Sequence, residues 1–596
     1  MSHEHKLGFF RKYVFSVDHK VIGVQYAVTG LMFLFFGFSL MWVMRYQLAY
    51  PNEPIPWVGK YLGSSVVAEV DVPNEGAANS EPGKGYVLTS DGYNAFGAMH
   101  GTIMIFLGIV PLAVGGFGNF VLPLQIGAPD MAFPKLNMAS YWVYFAGGVT
   151  MISSFFVPGG AANSGWTSYP PLADIASQNG NLIFNGQTIW LLGMVLLITS
   201  SLLGSVNFIV TTIQMRAKGL SFFRLPFFVW AQLVTAFLLL LAFPPLEAAG
   251  VLQLVDRVAG TNFFDPGGLI ISGVPRDTAG GGSPLLWQHL FWFLAHPEVY
   301  VLILPAMGIL GEVISSNTRK PLWGYKSLVF SAIFLGFMSF IVWAHHMFMT
   351  GMGTTISTFF QTTTMIISVP SVIILTCFII SLWKASIRYT VPMLFALAFL
   401  PMFAIGGLTG LPLGLATSDI QLHDTYYVIG HFHYVVAPGT IFALFAGVYH
   451  WFPKATGRKM NDFLGKLHFW PSFVFINCVF LPMFFIGMAG VLRRQFDQTE
   501  QLHGSAVHGL TVMVSWSVWG LAISQIPFII NFFWSVFAGA KVGANPWAAT
   551  TLEWSAPSPP PHGNFETVPV VCCGPYEYSV PGQDRDFCPQ HATMEA

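Results

Sequence analysis

Long apolar runs recur along the whole chain and limit what it can fold into. A helix needs roughly 20 apolar residues to cross a bilayer, and twelve runs of about 22 to 30 residues meet that need. They begin near residues 20, 98, 138, 187, 225, 283, 326, 356, 389, 424, 467 and 509. Only 9% of the 596 residues are charged, against about 25% in soluble proteins. The runs therefore predict an all-α polytopic membrane protein, with twelve transmembrane helices in one bundle because most connections are short.

The net charge and the cysteines exclude other classes of protein. A net charge of −1 provides no basic surface for phosphates, so we expect no nucleic-acid partner. The first apolar run, from Val21 to Met44, is too long for the core of a signal peptide and predicts a spanning helix. Cys572, Cys573 and Cys588 near the end of the chain form no even disulfide framework, and we expect free thiols in a reducing compartment.

Lysine and arginine indicate the orientation of the bundle, because cytoplasmic loops carry the excess of positive charge. With the N-terminus inside, most of the 26 lysines and arginines fall on the cytoplasmic side, so both termini are predicted to be cytoplasmic. We expect a twelve-helix core over residues 1–540 and a cytoplasmic tail over 541–596. The polar segment 46–97 is predicted as a long outer loop, which either docks a donor or partner subunit or is simply solvated.

Histidines inside the apolar runs are the first sign of chemistry, because an ionisable or ligating group at membrane depth is costly and marks function. His296 and Tyr300 are four residues apart and share one face of a helix. His345 and His346 are adjacent near the end of the next run, and imidazole suits copper, iron and zinc. Any one of them alone is more simply a core histidine bonded to a carbonyl. Three together, beside Glu298, predict a metal site.

His431 and His433 form a second arrangement. Two residues along a helix turn it by about 200°, so these imidazoles point to nearly opposite sides and can serve two cofactors. His100 lies in a glycine-containing apolar run that has room for a flat macrocycle. His100 and His433 can then bind one iron from both sides, with His431 as the single axial ligand of another. Packing or helix–helix hydrogen bonding is the alternative explanation for His100.

Four motifs carry a resemblance to a known family: HPEVY at 296–300, WAHHM at 343–347, HDTYYVIGHFHYV at 423–435 and GAPDMAFPKLN at 127–137. The chain resembles subunit I of the haem-copper oxidases, and is most like the cytochrome c oxidases of the A family. The resemblance extends from about Asp18 to Ala540. It implies a redox enzyme in which dioxygen binds between a haem iron and a copper ion.

The resemblance implies a role for each of these histidines and for several other residues. His296, His345 and His346 are implied to bind copper B, with Tyr300 covalently linked to His296. Two haems of the A type, one of high spin and one of low spin, and a magnesium or manganese ion complete the implied cofactors. The implied ligand of the high-spin haem is His431, and those of the low-spin haem are His100 and His433. The implied ligands of the magnesium or manganese ion are His423 and Asp424. Arg493, Arg494 and Trp166 match residues that hold haem propionates, and Arg45 matches one near the formyl group of the low-spin haem.

Proton delivery involves a separate set of residues. The resemblance implies a route that starts at Asp130 and ends at Glu298, which together with Tyr300 is predicted to be catalytic. Burial of Glu298 among aromatic residues disfavours its charged form. Small polar side chains can hold a chain of water between the two carboxyls, and five are in place: Asn119, Asn137, Ser200, Ser201 and Asn207. Helix–helix hydrogen bonding is the alternative for any one of them.

The sequence departs from the family at Ile374. The family's second proton pathway has a lysine here, four residues after a proline, and this chain lacks that base. Ser371 remains at the position of the pathway's hydroxyl, and Tyr300 remains at its end. We expect water held near Ser371, Thr363 or Thr364 to feed Tyr300 instead.

These features predict the catalytic subunit of a proton-translocating terminal oxidase with a cytochrome c-like donor. The alternatives are quinol oxidase subunit I and, in a different class, an ion transporter without redox chemistry. Gly92 and Ala95 stand where quinol oxidases place His and Gln, which favours the cytochrome donor. The expected partners are a subunit II that carries CuA, subunit III, further small subunits, dioxygen and membrane lipid. The expected location is the bacterial inner (plasma) membrane rather than the mitochondrial inner membrane.

Overall fold

The computed structural model describes residues 8–72, 83–175, 183–271, 273–275, 280–498 and 505–592. Long helices account for most of these residues and lie where the apolar runs predict them. They are α1 (His19–Ala49), α2 (Ser90–Ile126), α3 (Pro134–Ser153), α4 (Gly186–Gln214), α5 (Phe227–Ala259), α6 (Pro284–Thr318), α7 (Tyr325–Thr350), α8 (Gly353–Leu382), α9 (Val391–Leu413), α10 (Tyr426–Thr456), α11 (Asp462–Met488) and α12 (Val507–Ala538). Within the described ranges, 11 of them are long and apolar enough to cross a membrane, α3 being the exception.

The long helices contain irregular turns beside the predicted cofactor residues. A π-helical segment of α2, Ile103–Ile109, begins three residues after His100. Another in α10, Val436–Ile441, begins three residues after His433. α7 ends in a 3₁₀ segment, Trp343–Thr350, which contains the adjacent histidines. Because π-turns are rare and concentrate at functional sites, these irregularities point to the middle of the bundle.

Glycine allows the first two helices to pack closely. A Cβ at Gly23 of α1 would lie 2.8 Å from the backbone nitrogen of Phe120 in α2. A Cβ at Gly30 would lie 3.1 Å from the carbonyl oxygen of Gly108. Elsewhere α5 packs against α4 and α6, and α3 packs against α4. We call the face of the bundle at which α1 begins the N-terminal face, and the opposite one the far face.

The polar segment after α1 is folded, which differs from the predicted plain loop. α1 continues to Ala49 and α2 begins at Ser90, so both helices extend into the segment predicted as 46–97. Between them, β1 (Val67–Val72) and β2 (Gly83–Leu88) form an antiparallel hairpin at the far face, with buried Val67 opposite buried Leu88. Two shorter antiparallel pairs are β3 (Ile270–Ile271) with β4 (Val274–Pro275), and β5 (Arg458–Lys459) with β6 (Ala540–Lys541).

The tail after α12 is also folded, although the sequence predicts an extramembranous loop there. It covers the N-terminal face as far as residue 592, and Trp547 and Trp554 are among its buried side chains. The Asp586 carboxylate accepts two hydrogen bonds of 2.7 Å from the guanidinium of Arg319, at the end of α6. This pairing holds the pKa of Asp586 below its ordinary value. The tail is therefore attached to the bundle as a cap.

Two of the tail's cysteines lie inside this cap. Cys573 and Cys588 are buried, and both are free thiols in the structure. Burial raises the pKa of the Cys573 thiol to about 12. A thiol that keeps its proton is a poor nucleophile and a poor metal ligand, so Cys573 acts as a packing residue.

Candidate haem and metal centre

A large cavity in the middle of the bundle collects the predicted cofactor residues. Its volume is about 1530 Å³. The lining includes His100, His296, His345, His346, His431 and His433, together with Arg45, Trp166, Tyr300, His423, Asp424, Arg493 and Arg494. Residues from both ends of the sequence thus converge on one space, which exceeds the roughly 300–1,000 Å³ of an ordinary ligand pocket.

Three histidines in this cavity, His296, His345 and His346, form a candidate metal site that we call the histidine trio. Their ligand nitrogens all lie within 4.8 Å of one another. Nδ1 of His296 is 3.2 Å from Nε2 of His346, and Nε2 of His345 is 3.1 Å from the same nitrogen. Imidazole lone pairs this close repel each other unless a proton or a cation lies between them. Three nitrogen donors suit a transition metal such as copper.

Neighbouring side chains orient the trio. Nδ1 of His345 lies 2.8 Å from the hydroxyl of Thr364 on α8. The ring of Trp292 stacks on His346 with centroids 3.8 Å apart. The ring of Tyr300 is 5.0 Å from that of His296, one turn away on α6. Outer partners that fix the rings of ligating histidines are typical of metal sites, and the phenol stands beside the trio as predicted.

The other three histidines share one hydrogen-bonding pattern. Each ring places Nδ1 against a backbone carbonyl oxygen: His100 against Gly37 at 2.8 Å, His431 against Gly406 at 2.8 Å and His433 against Ile429 at 2.9 Å. When Nδ1–H donates to a carbonyl, Nε2 keeps its lone pair for a ligand. All three rings line the large cavity, so the set fits axial binding of haem iron.

His431 and His433 have different neighbours. His431 interacts electrostatically with His345 of the trio, whereas His433 interacts with His100. A Cβ at Gly410 would lie 2.7 Å from the ring of His431, so a glycine makes room for that ring. The structure therefore brings one histidine to the trio and pairs the other with His100.

Arg45 and Arg494 are two of the arginines that line the large cavity. Arg45 is only 2% exposed, and its Nε and Nη1 have no hydrogen-bond partner among the described residues. Because buried donors are normally paired, Arg45 has room for a polar group of a ligand. Burial beside Arg493 lowers the pKa of Arg494 to about 10. Arg494 lies next to Gly165, the residue before Trp166.

Two carboxylates and an imidazole, those of Asp419, Asp424 and His423, lie together at the far face, between α9 and α10. Asp424 accepts a hydrogen bond of 2.6 Å from Nε of Arg493, and His423 lies 3.7 Å from Asp424. Burial raises the pKa of Asp424, but Arg493 and His423 outweigh it and hold that pKa below its ordinary value. Burial lowers the pKa of His423, but the carboxylate of Asp419, 3.0 Å from Nδ1, outweighs it and raises that pKa. Asp419 is absent from the sequence prediction, although its four-residue spacing from His423 is a signal for it.

The structure gathers part of the predicted proton route around a small cavity. This cavity has a volume of about 40 Å³ and is lined by Asn119, Ser200 and Ser201, which is room for water. Both polar atoms of the Asn137 side chain are buried without a hydrogen-bond partner among the described residues. Asn207 binds the backbone of the turn between α2 and α3 instead, at 2.9 Å.

The two ends of the route lie apart from this cavity. Asp130 is in the α2–α3 turn at the N-terminal face, where burial raises its pKa. Glu298 on α6 is 2% exposed, and neither carboxyl oxygen has a partner among the described residues. Glu298 is also absent from the described residues that line the large and the small cavity. The structure thus brings three of the five middle residues of the route together and leaves Glu298, its end, as an isolated buried acid.

The position of the missing lysine is apolar and closed. Ile374 on α8 is fully buried. Towards the N-terminal face, the ring of Phe378 contacts that of Phe227 at 6.2 Å. Towards the centre, Ser371 lines the large cavity together with Tyr300. On α8, Ser371 on the cavity side of Ile374 therefore shares the large cavity with Tyr300.

Comparison with known proteins agrees with this fold and site. A family model described as cytochrome c and quinol oxidase polypeptide I matches residues 21–539. The cytochrome c oxidase subunit 1 of Synechocystis sp. is 43% identical over 568 residues, which are 95% of this chain and 93% of that protein. The alternative cytochrome c oxidase subunit 1 of Bradyrhizobium diazoefficiens is 40% identical over 590 residues, 98% of this chain and 94% of that one. A haem-copper terminal oxidase dimer solved by cryo-EM has a TM-score of 0.65 at 19% identity, over 88% of this chain and 84% of the solved one.

The long helices and the cavity they enclose define a polytopic membrane protein with the haem-copper oxidase fold. The chain belongs to the cytochrome c and quinol oxidase polypeptide I family. This membership confirms the resemblance carried by the four sequence motifs.

Proposed function

We propose that the chain is the catalytic subunit of a terminal respiratory oxidase. It reduces dioxygen to water with four electrons and four protons, takes the electrons from a cytochrome c-like donor and couples the reaction to proton translocation. The observation that carries the proposal is one cavity that holds the histidine trio beside His431, with His100 and His433 as a further pair. An ion transporter has no need of such a set, and the curated relatives are named as cytochrome c oxidase subunits.

The donor sets fit the cofactors of this reaction. The trio would hold copper B, because its nitrogens are close enough to share one ion. His431 alone would hold the high-spin haem, and His100 together with His433 would hold the low-spin haem. When bound, the two haems and the copper supply electron transfer and dioxygen binding.

Arginines support a haem with charged and polar substituents. The free N–H groups of Arg45 would bind the formyl group of an A-type low-spin haem. Arg493 and Arg494, with Trp166, would hold the propionates, because a guanidinium binds carboxylates with two parallel hydrogen bonds. At the far face, His423 and Asp424 would bind magnesium or manganese, since a carboxylate is a hard ligand, and a partner subunit would complete that site.

Protons reach the reaction through this chain's own side chains. Tyr300 stands beside the trio and would donate a proton from its hydroxyl, with a covalent bond to His296 holding it in place. Asp130 would take protons at the N-terminal face and pass them along water held by Asn119, Asn137, Ser200, Ser201 and Asn207. Glu298 would be the last acid of this route, because a buried carboxyl without partners can take up and release a proton at neutral pH.

The remaining parts of the proposal concern topology and assembly. All twelve long helices, α3 included, would cross the bacterial plasma membrane, with residues 541–596 and the N-terminus on the cytoplasmic side. Cysteine pairs suited to a dinuclear copper centre are lacking in the chain, so a subunit II would carry CuA and pass electrons on. Subunit III and further small subunits would complete the complex.

The test is dioxygen uptake by the purified complex with reduced cytochrome c, and with a quinol as the matched alternative donor. We expect uptake with cytochrome c and acidification outside proteoliposomes that contain the complex. Uptake with the quinol alone would establish the quinol oxidase instead. A colourless protein that moves ions without consuming dioxygen would establish the transporter.

A further inference from the structure

A pair of buried carboxyl groups lies at the N-terminal face, between the end of α6 and the tail. Glu312 of α6 is 3% exposed and Glu553 of the tail is fully buried. The two carboxyls interact electrostatically. Lys454, the cation that acts on Glu553, directs its Nζ to the carbonyl oxygens of Ala544 and Ala556 instead. The pair is thus acidic and buried.

The hydrogen bonds around the pair leave it room for a proton. Oε1 of Glu312 accepts from the Tyr576 hydroxyl at 2.6 Å and from the backbone N–H of Phe228 at 3.3 Å. Oε1 of Glu553 accepts from Gln125 at 3.0 Å, and its Oε2 has no hydrogen-bond partner among the described residues. Burial raises the pKa of Glu553 and outweighs the side chains of Thr551 and Trp451, which also favour the charged form of this carboxyl. Two buried carboxylates that interact in this way repel each other, which favours a proton on one of them.

Unpaired polar atoms continue from this pair into the bundle. Phe228, which binds Glu312, is in the first turn of α5, and Gln232 and Thr235 follow it along that helix. Both are fully buried, and Oε1 of Gln232 and Oγ1 of Thr235 lack partners within the part of the chain that the structure describes. Buried polar atoms without a protein partner are places for ordered water. Oε1 of Gln232 and the ring of Phe208 both lie beside Gly118, where a Cβ would be 3.3 Å from the first and 2.8 Å from the second. Phe208 also lines the small cavity.

The helical geometry of α6 relates Glu312 to Glu298, the buried acid at membrane depth. Glu312 follows Glu298 by 14 residues, which is about 21 Å along the axis and about 40° around it. The two acids therefore lie on nearly the same face of α6, one at the N-terminal face and one at membrane depth. α6 packs against α5, which carries Gln232 and Thr235, and a Cβ at Gly308, between the two acids, would lie 2.8 Å from the Cα of Phe228.

We propose that Glu312 and Glu553 form a second proton intake, distinct from Asp130, which passes protons past Gln232 and Thr235 into the bundle. The inference rests on the proposed oxidase function. It assigns the tail a part in the reaction, because the tail supplies one of the two acids. It also provides an inward route that does not need a lysine at position 374.

The test removes one intake at a time and measures dioxygen uptake by the whole complex. Asp130→Asn should keep part of the turnover, because the second intake still works. Adding Glu312→Gln to that variant should lower the remaining turnover by about tenfold or more, as expected for loss of a proton-transfer group. The amide keeps the shape and can still accept from Tyr576. The matched control adds Asp462→Asn, which removes an exposed carboxylate paired with Lys459 at the same face, leaves the tail attached to Arg319 and should leave the Asp130→Asn turnover unchanged.

Infrared spectroscopy tests whether the pair holds a proton. The carbonyl band of a buried carboxylic acid should disappear in Glu312→Gln and in Glu553→Gln. The inference is overturned if Asp130→Asn has no remaining turnover, if Glu312→Gln adds nothing to that loss, or if Asp462→Asn lowers the remaining turnover equally. Failure of the wild-type complex to consume dioxygen would instead refute the proposed function itself.

Discussion

Ile374→Lys restores the base that related enzymes carry in their second proton pathway, and the structure allows its cost to be estimated. Ile374 is fully buried in the second half of α8, so the cost of a lysine at a helix centre is an upper value for this position. On membrane-insertion scales a central lysine costs about 2.5 to 3.5 kcal/mol and an isoleucine gains about 0.3 to 0.6 kcal/mol, so the exchange costs about 3 to 4 kcal/mol. Part is recovered if the lysine stem extends towards Ser371 and the large cavity. We expect lower thermal stability and nearly unchanged turnover, because we expect water near the hydroxyls on the cavity side to feed Tyr300 instead.

The assay is stopped-flow reduction of the high-spin haem, together with steady-state dioxygen uptake. Ile374→Met is the matched control, since it has similar length and no charge. Rates in the lysine variant should match those of the methionine variant. A large rise in the rate of high-spin haem reduction with lysine alone would refute the reasoning, because it would show that the native enzyme is limited by the missing base and has no substitute route.

Three further variants test individual parts of the account. His433→Ala should abolish the low-spin haem spectrum and leave some carbon monoxide-reactive haem, since His431 serves the other haem; the reverse pattern would exchange the two assignments. Glu298→Gln should preserve both haem spectra and lower turnover by about 10²- to 10⁴-fold, because an amide carries no proton at working pH; near-normal turnover would remove its role. Asp586→Asn should loosen the tail and speed its cleavage by protease. Arg319 lowers the pKa of Asp586, so in the wild type the Arg319–Asp586 pair is complete at pH values above the ordinary carboxyl pKa. The pair weakens as the pH falls through the lowered pKa of Asp586. Equal cleavage of the wild type and the variant at every pH would contradict this attachment.

The histidine cavity was predictable because its signals are local. Residues two positions apart on a helix point to nearly opposite sides, which separates His431 from His433. Residues four positions apart share a face, which brings Tyr300 beside His296. The position of His100 relative to His433 was open from spacing alone, because it depends on how α2 packs against α10. The π-helical turns after both residues were not predictable, since they arise from tertiary packing rather than from local preference.

The parts outside the membrane helices were predicted less well. Low hydrophobicity over 46–97 and 541–596 indicated loops, but buried Val67 and Leu88 anchor a hairpin and buried Trp547 and Trp554 anchor the tail. Polar composition does not prevent order when a large bundle offers a surface to cover. Glu553 illustrates the difference, because its partner Gln125 is 428 residues away in the sequence and no local pattern connects them.

Metal and haem analysis of the purified complex, wild type against His346→Ala, tests the central claim most directly. The account predicts two haem irons for each chain, one low-spin and one that binds carbon monoxide, and the loss of one copper ion per chain in the variant with both haems retained. A complex without haem, or a variant with unchanged copper content, would contradict the assignment of this cavity.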